Sequence, residues 1–224
     1  MTMIKKNHLV PLLLDLFVFI SVLVCVIIRL IIPQRNVDGN VVTNSPFQYF
    51  TIDSNVLIAI SSLINVVIIF LKRKEDDINY PTFASKLNFI STCSTTLTFL
   101  TVLLILAPFT GFWFLYKDVN LFLHFLSPVA KFINYLFFQK DNKQKFIDIL
   151  YAMIPILIYG IIYFIMVIVV GIENGGWHDF YGFKKNLGVA ANSVVMATLS
   201  LIIVFGIYYL KRHYQSKKAL KWAF

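Results

Sequence analysis

Charge is scarce in this chain. Only 14% of its 224 residues are Asp, Glu, Lys or Arg, against 58% hydrophobic. That balance is too apolar for a water-soluble domain of this length. Glutamate is almost missing, with Glu75 and Glu173 its two instances. No helix therefore carries a glutamate pair, no HExxH segment exists, and no metal set is expected. Neither a Walker motif nor GxGxxG occurs, which argues against nucleotides. The two cysteines, Cys25 and Cys93, lie in different apolar blocks and form no CxxC, so no disulfide framework is expected. No small-residue cleavage site follows the first apolar block, which reads as a retained span rather than a cleaved signal. The sequence has no internal repeat and no low-complexity tract.

Long apolar runs are what it has instead, with a mean hydropathy of +0.77. Six blocks approach or exceed the roughly 20 helical residues that cross a bilayer: 9–32, 47–71, 86–108, 121–138, 146–170 and 187–210. The fourth is the shortest and is interrupted by Lys131. Backbone groups in lipid must be satisfied internally, and the blocks lack the polar–apolar alternation of barrel strands, so they read as helices. The expected fold is an all-α, six-transmembrane-helix bundle, a single membrane domain over residues 1–224 in the cell membrane. The net charge of +9 is one-sided. Lys5, Lys6, the run Lys72–Lys74, Lys140, Lys143, Lys145 and the tail from Lys211 fall on one side of a six-span layout, and few basic residues fall on the other. The positive-inside rule then places both termini in the cytoplasm. The basic tail is expected to grip anionic headgroups rather than nucleic acid.

Two of the spans carry polar stripes. Thr51, Ser54, Asn55, Ser61, Ser62 and Asn65 recur at helical steps in the second, and His124, Ser127, Lys131, Asn134 and Tyr135 in the fourth. Two such stripes should face each other or a shared cavity rather than lipid. Asp53 lies off the stripe. Thr51 is roughly 6 Å and His124 roughly 4.5 Å inside their spans from the same side. A threonine hydroxyl is a weak nucleophile until a base takes its proton, and imidazole is the usual base. Thr51 and His124 are thus the candidate catalytic pair. Ser54, Asn55 and Lys131 are candidate supporting residues. Lys131 near mid-membrane carries a penalty of about 2.5–3.5 kcal/mol, and pairing with Asp15, snorkelling or lying neutral in a cavity are its options. The hydroxyl-rich STCSTTLT segment, Ser91 to Thr98, reads as helix packing. In the loop GIENGGWHDFYGFKKN, Trp177 and Tyr181 either cover the site or belong to an interfacial aromatic belt.

The segments FQYFTIDSN, NLFLHFLSP and GGWHDFYGF together resemble a prokaryotic six-transmembrane family. That family is similar to the eukaryotic androgen-induced, FAR-type membrane threonine hydrolases. The resemblance spans residues 47–183 and implies a threonine nucleophile at Thr51, a histidine base at His124, and hydrolysis of lipid esters such as fatty acid esters of hydroxy fatty acids. It departs from the eukaryotic pattern at Ser54, which stands where those proteins carry an aspartate. Pro128, four residues after His124, follows the prokaryotic form. No cofactor is implied. The expected partners are membrane lipids and a lipid-like substrate. The alternative from another class is a small-molecule or lipid transporter or binding protein whose polar stripes line a pathway.

Overall fold

A computed structural model describes residues 5–32, 34–35, 41–43, 45–140, 144–184 and 188–221. Six helices dominate: α1 (Lys6–Ile31), α2 (Phe50–Leu71), α3 (Thr82–Leu106), α4 (Val119–Phe138), α5 (Asp148–Val170) and α6 (Gly188–Lys221). Each is long and apolar enough to cross a membrane. A two-stranded antiparallel ribbon, β1 (Gln34–Arg35) with β2 (Val41–Thr43), joins α1 to α2. Two short helical turns, Ala107–Thr110 and Phe112–Tyr116, join α3 to α4.

The ends of the helices differ from the expected spans for local reasons. The second helix starts at Phe50 rather than at residue 47. Pro46 opens a 3-10 turn over Pro46–Gln48, and Tyr49 is extended at φ −110° and ψ 124° before α2 begins. The last helix continues beyond residue 210 into the basic tail, because polarity ends an apolar run without ending a helix. Lys131 does not interrupt α4. Two π-helical turns, Val102–Leu106 and Phe122–Leu126, each precede a proline, Pro108 and Pro128. Proline has no N–H and crowds the carbonyl four residues back, and the wider turn accommodates both effects. In α4 that carbonyl belongs to His124.

The helices are not equally enclosed. In their most apolar stretches α2 and α3 are 56% buried, α5 only 17% and α6 28%. The first pair forms the centre, with α1 and α4 against it. A cluster of Val18, Val22, Ile58 and Ala130 joins α1, α2 and α4. A second, with Phe89, Tyr135, Ile149 and Tyr208, ties α3 and α4 to α5 and α6.

The α2–α3 seam is polar throughout its length. Ser54 Oγ meets Thr98 Oγ1 at 2.8 Å, Ser61 Oγ meets Ser91 Oγ at 3.0 Å, and the Asn65 and Asn88 amides exchange bonds of 2.8 and 3.0 Å. Rising by seven and four on α2 while falling by seven and three on α3 is the register of two antiparallel helices with facing stripes. The hydroxyl-rich segment of α3 accordingly packs against the stripe of α2, and Ser91, Thr92, Ser94, Thr95 and Thr98 are all buried.

One end of the bundle, here called basal, is fastened by ion pairs and buried polar bonds. Lys5 Nζ lies 2.5 Å from Asp76 Oδ1, and Lys140 pairs with Asp77. His8 Nε2 meets the Glu75 carbonyl at 2.9 Å, and Lys86 pairs with Asp148 at 3.1 Å. Lys211, 1% exposed, donates to the carbonyls of Tyr135 and, at 2.7 Å, Gln139 at the end of α4. The opposite, distal end holds the β-ribbon, the short turns before α4, and the loop from Gly171.

Candidate functional site

Every residue of the two sequence stripes is buried: Thr51, Ser54, Asn55, Ser61, Ser62 and Asn65 on α2, and His124, Ser127, Lys131, Asn134 and Tyr135 on α4. Asp53 is off the stripe and only half-buried.

Thr51 is the second residue of α2, at the distal end. It opens on a cavity of about 380 Å³ whose wall is mostly apolar, with Phe50, Val102, Met153, Tyr159, Tyr163 and Met196 among its lining residues. Thr98 and Ser200 add hydroxyls to that wall, and Tyr181 and Phe183 close it from the distal loop. The start of α2 also presents donors. The N–H groups of Ile52 and Asp53 go to the Tyr49 carbonyl, that of Phe50 is turned to the Tyr159 and Tyr181 hydroxyls, and that of Thr51 has no backbone acceptor among the described residues. Tyr49 is kept neutral next to them, because burial pushes its phenol up to about 12 against the opposing effect of Arg29.

His124 sits inside the π-helical turn of α4. Its Nδ1 lies 2.7 Å from the Leu115 carbonyl. A carbonyl only accepts, so Nδ1 carries the proton and the neutral ring presents its lone pair at Nε2. Tyr116 meets the ring edge-on at 6.4 Å between centroids, which fixes its plane. Among the described residues Nε2 has no hydrogen-bond partner.

The two candidates are brought to one level by Asn55. Its Nδ2 donates to the Thr51 carbonyl at 2.7 Å and to the Leu123 carbonyl at 2.9 Å, spanning from the first turn of α2 to the residue before His124. Ile52 packs against Leu123 and Cys25 alongside. Both amide protons of Asn55 are committed to these carbonyls, so Asn55 positions the segments and has no donor left for an oxyanion. Ser54 is likewise a fastening residue, bonded to Thr98 Oγ1 and, at 3.2 Å, to the Thr51 carbonyl. No hydrogen bond joins Thr51 to His124 among the described residues, and His124 is not part of the cavity wall.

The distal loop is folded onto α5. Tyr163 OH donates to Asp179 Oδ1 at 2.9 Å and accepts from the Tyr181 N–H at 3.1 Å. Asp179 also takes the N–H groups of Phe183 and Lys184, each at 2.8 Å. Trp177 packs 6.4 Å from the rings of both Tyr159 and Tyr163 without lining the cavity. The glycines before it have a steric reason. Gly171 turns at φ 71°, and a Cβ on Gly176 would collide with the carbonyls of Met166 and Gly171. Tyr159, Tyr163 and Asp179 escaped the sequence reading. The four-residue spacing of the two tyrosines on one helix face was the signal that could have found them.

Lys131 stands apart from this region, seven residues and roughly 10 Å along α4 from His124. It is fully buried, donating to Asn88 Oδ1 at 2.8 Å and Ser62 Oγ at 3.2 Å, with Asp15 Oδ1 at 3.5 Å. Asn65 donates to the same Asp15 oxygen at 3.3 Å. Of the three options open to Lys131, the structure selects the pair with Asp15. Compared with models of protein families, with curated proteins and with solved structures, the chain matches none.

Proposed function

We propose that this chain is a multi-pass membrane hydrolase of lipid esters, with Thr51 as nucleophile and His124 as its base. The observation that carries the reading is Thr51 at the wall of a mostly apolar cavity, with Asn55 tying its turn to the residue before a histidine whose lone pair is at Nε2. In this reading the cavity takes an acyl chain and sets the ester carbonyl beside Thr51. As Thr51 Oγ1 bonds to the carbonyl carbon, its proton passes to His124 Nε2. The Thr51 N–H at the start of α2 faces the developing oxyanion, whereas that of Phe50 is turned to the Tyr159 and Tyr181 hydroxyls. The tetrahedral centre then expels the alcohol, which takes the proton from the imidazolium, and water releases the acid from the acyl-threonine. In this reading Thr51 and His124 come into contact through movement of the π-helical turn that holds His124, a kind of segment often found at functional sites.

The basic residues gathered at the basal end support a cytoplasmic location for that end, so that the site opens toward the outer leaflet. A tag on either terminus is then reached by antibody only after the membrane is permeabilised, and labelling of intact cells would reverse the orientation.

The first test is a fluorophosphonate probe on the purified chain in detergent, beside folded Thr51→Val and His124→Gln variants. Labelling of the wild type that both variants lose is the expected result. Labelling that survives Thr51→Val assigns the nucleophile elsewhere. A wild type that neither labels nor hydrolyses long-chain esters, yet binds them, supports the lipid-binding alternative, which uses the same cavity.

A further inference from the structure

Asp53 has no place in the chemistry above. It is absent from the wall of the Thr51 cavity and lines a second one of about 240 Å³ between α2, α3 and α5. Phe50 and Tyr159, 5.0 Å apart between ring centroids, stand between the two spaces and contribute to both walls. Leu57, Pro155, Ile158 and Ile162 complete the second cavity's apolar lining. Ile158 and Ile162 are exposed on the outer face of α5, so this cleft opens sideways, onto the surface that a bilayer would cover.

A half-buried carboxylate in such a setting is costly unless a cation completes it. Among the described residues none does: Asp53 makes no ion pair and its side chain has no hydrogen bond, and the titratable group within its electrostatic reach is the Tyr181 phenol, which brings no positive charge. Lys131, Lys211 and Lys86 reach into the bundle at other depths and are engaged there, and Arg29, the part-buried cation at the distal end, donates to Asn120 Oδ1. The cleft thus offers a carboxylate beside two aromatic rings, the combination that recognises an ammonium group, above an apolar channel open to lipid. A carboxylate and ring faces fit a cationic head, and the isoleucine wall fits a hydrocarbon chain.

We propose that the Asp53 cleft binds the ammonium head of a bilayer amphiphile, whose chain lies along Leu57, Ile158 and Ile162. The site is separate from the Thr51 cavity and does not depend on hydrolysis. Phosphatidylethanolamine is the probe, with phosphatidylglycerol as its anionic counterpart. Native mass spectrometry of the full chain in detergent reads lipid retained during titration with either. The wild type is expected to retain phosphatidylethanolamine about tenfold more tightly than phosphatidylglycerol. Asp53→Asn, which loses a charge-assisted bond, is expected to weaken it about tenfold. Ile158→Trp, a change on the exposed face of α5, fills the cleft and is expected to displace the lipid. Thr51→Val should retain it as the wild type does. Equal retention of the two lipids overturns the proposal, as does undiminished retention by Asp53→Asn. If Asp53→Asn does not fold, Ile158→Trp decides alone, and unchanged retention in that variant overturns it.

Discussion

Along α4 two polar residues meet opposite fates. Lys131 is enclosed at the basal side by Asn88, Ser62 and Asp15, which were recruited from three other helices. His124, two turns away, is anchored through Nδ1 to Leu115 just before the same helix, and its Nε2 has no partner among the described residues. Both are buried and both lie on one stripe. The first is a buried network around an ion pair, with Lys131 answered by Asp15, Asn88 and Ser62 and the Asn65 and Asn88 amides by each other, while Asp15 Oδ2 has no hydrogen-bond partner among the described residues. The second is held in place but left with one group unanswered, beside a segment that opens on a cavity. A membrane helix bundle tolerates polar side chains in either way.

Breaking the network around Lys131 should have the largest effect. Lys131→Met leaves Asp15 buried without its cation, for which a loss of about 3–5 kcal/mol is expected. Adding Asp15→Asn removes the stranded charge and should recover most of it. Reversible unfolding in mixed micelles measures both, and additive effects of the two changes would mean that the pair is not coupled. Asn55→Leu tests the link between the regions. It leaves two buried carbonyls short of a donor, and about 1–3 kcal/mol is expected, with loss of probe labelling because Thr51 and His124 lose their common level.

Thr51→Val and His124→Gln sharpen the contrast from the other side. Each should change stability by about 1 kcal/mol or less while abolishing labelling. A variant as unstable as Lys131→Met would place that residue in the structural class. The smallest effect belongs to Asp76, a fully solvated carboxylate held below its ordinary value of 3.8 by its bond to Lys5. Because its folded value is depressed, its contribution is present above that ordinary value and fades as pH falls through the folded one. Asp76→Asn should therefore unfold like the wild type at strongly acid pH and show any deficit near neutrality. Being exposed, the pair should also weaken with added salt.

Much of the architecture was legible in the residues alone. Six apolar runs of sufficient length announced six helices, because lipid leaves the backbone no other partner. The steps of three, four and seven between Thr51 and Asn65, and between His124 and Tyr135, announced buried faces, and Asp53 was correctly off its stripe. The ends of helices were less legible. Pro46 moved the start of α2 through a turn that hydropathy does not register, and the basic tail stayed helical because hydropathy measures solvent preference rather than backbone geometry.

Sequence by itself thus determined the number of helices and, for α2 and α4, the face turned inward, since run length and periodicity belong to a single helix. Tertiary structure alone decided which faces meet. It chose Asp15 as the partner of Lys131 from several options, made Asn55 a bridge between α2 and α4, and gave Thr51 a cavity wall that His124 does not share. It also turned Asp53 toward a separate cleft against α5. Such pairings depend on how helices distant in sequence rotate and shift against one another. That is settled by packing and by the matching of polar groups across an interface, and no local pattern encodes it.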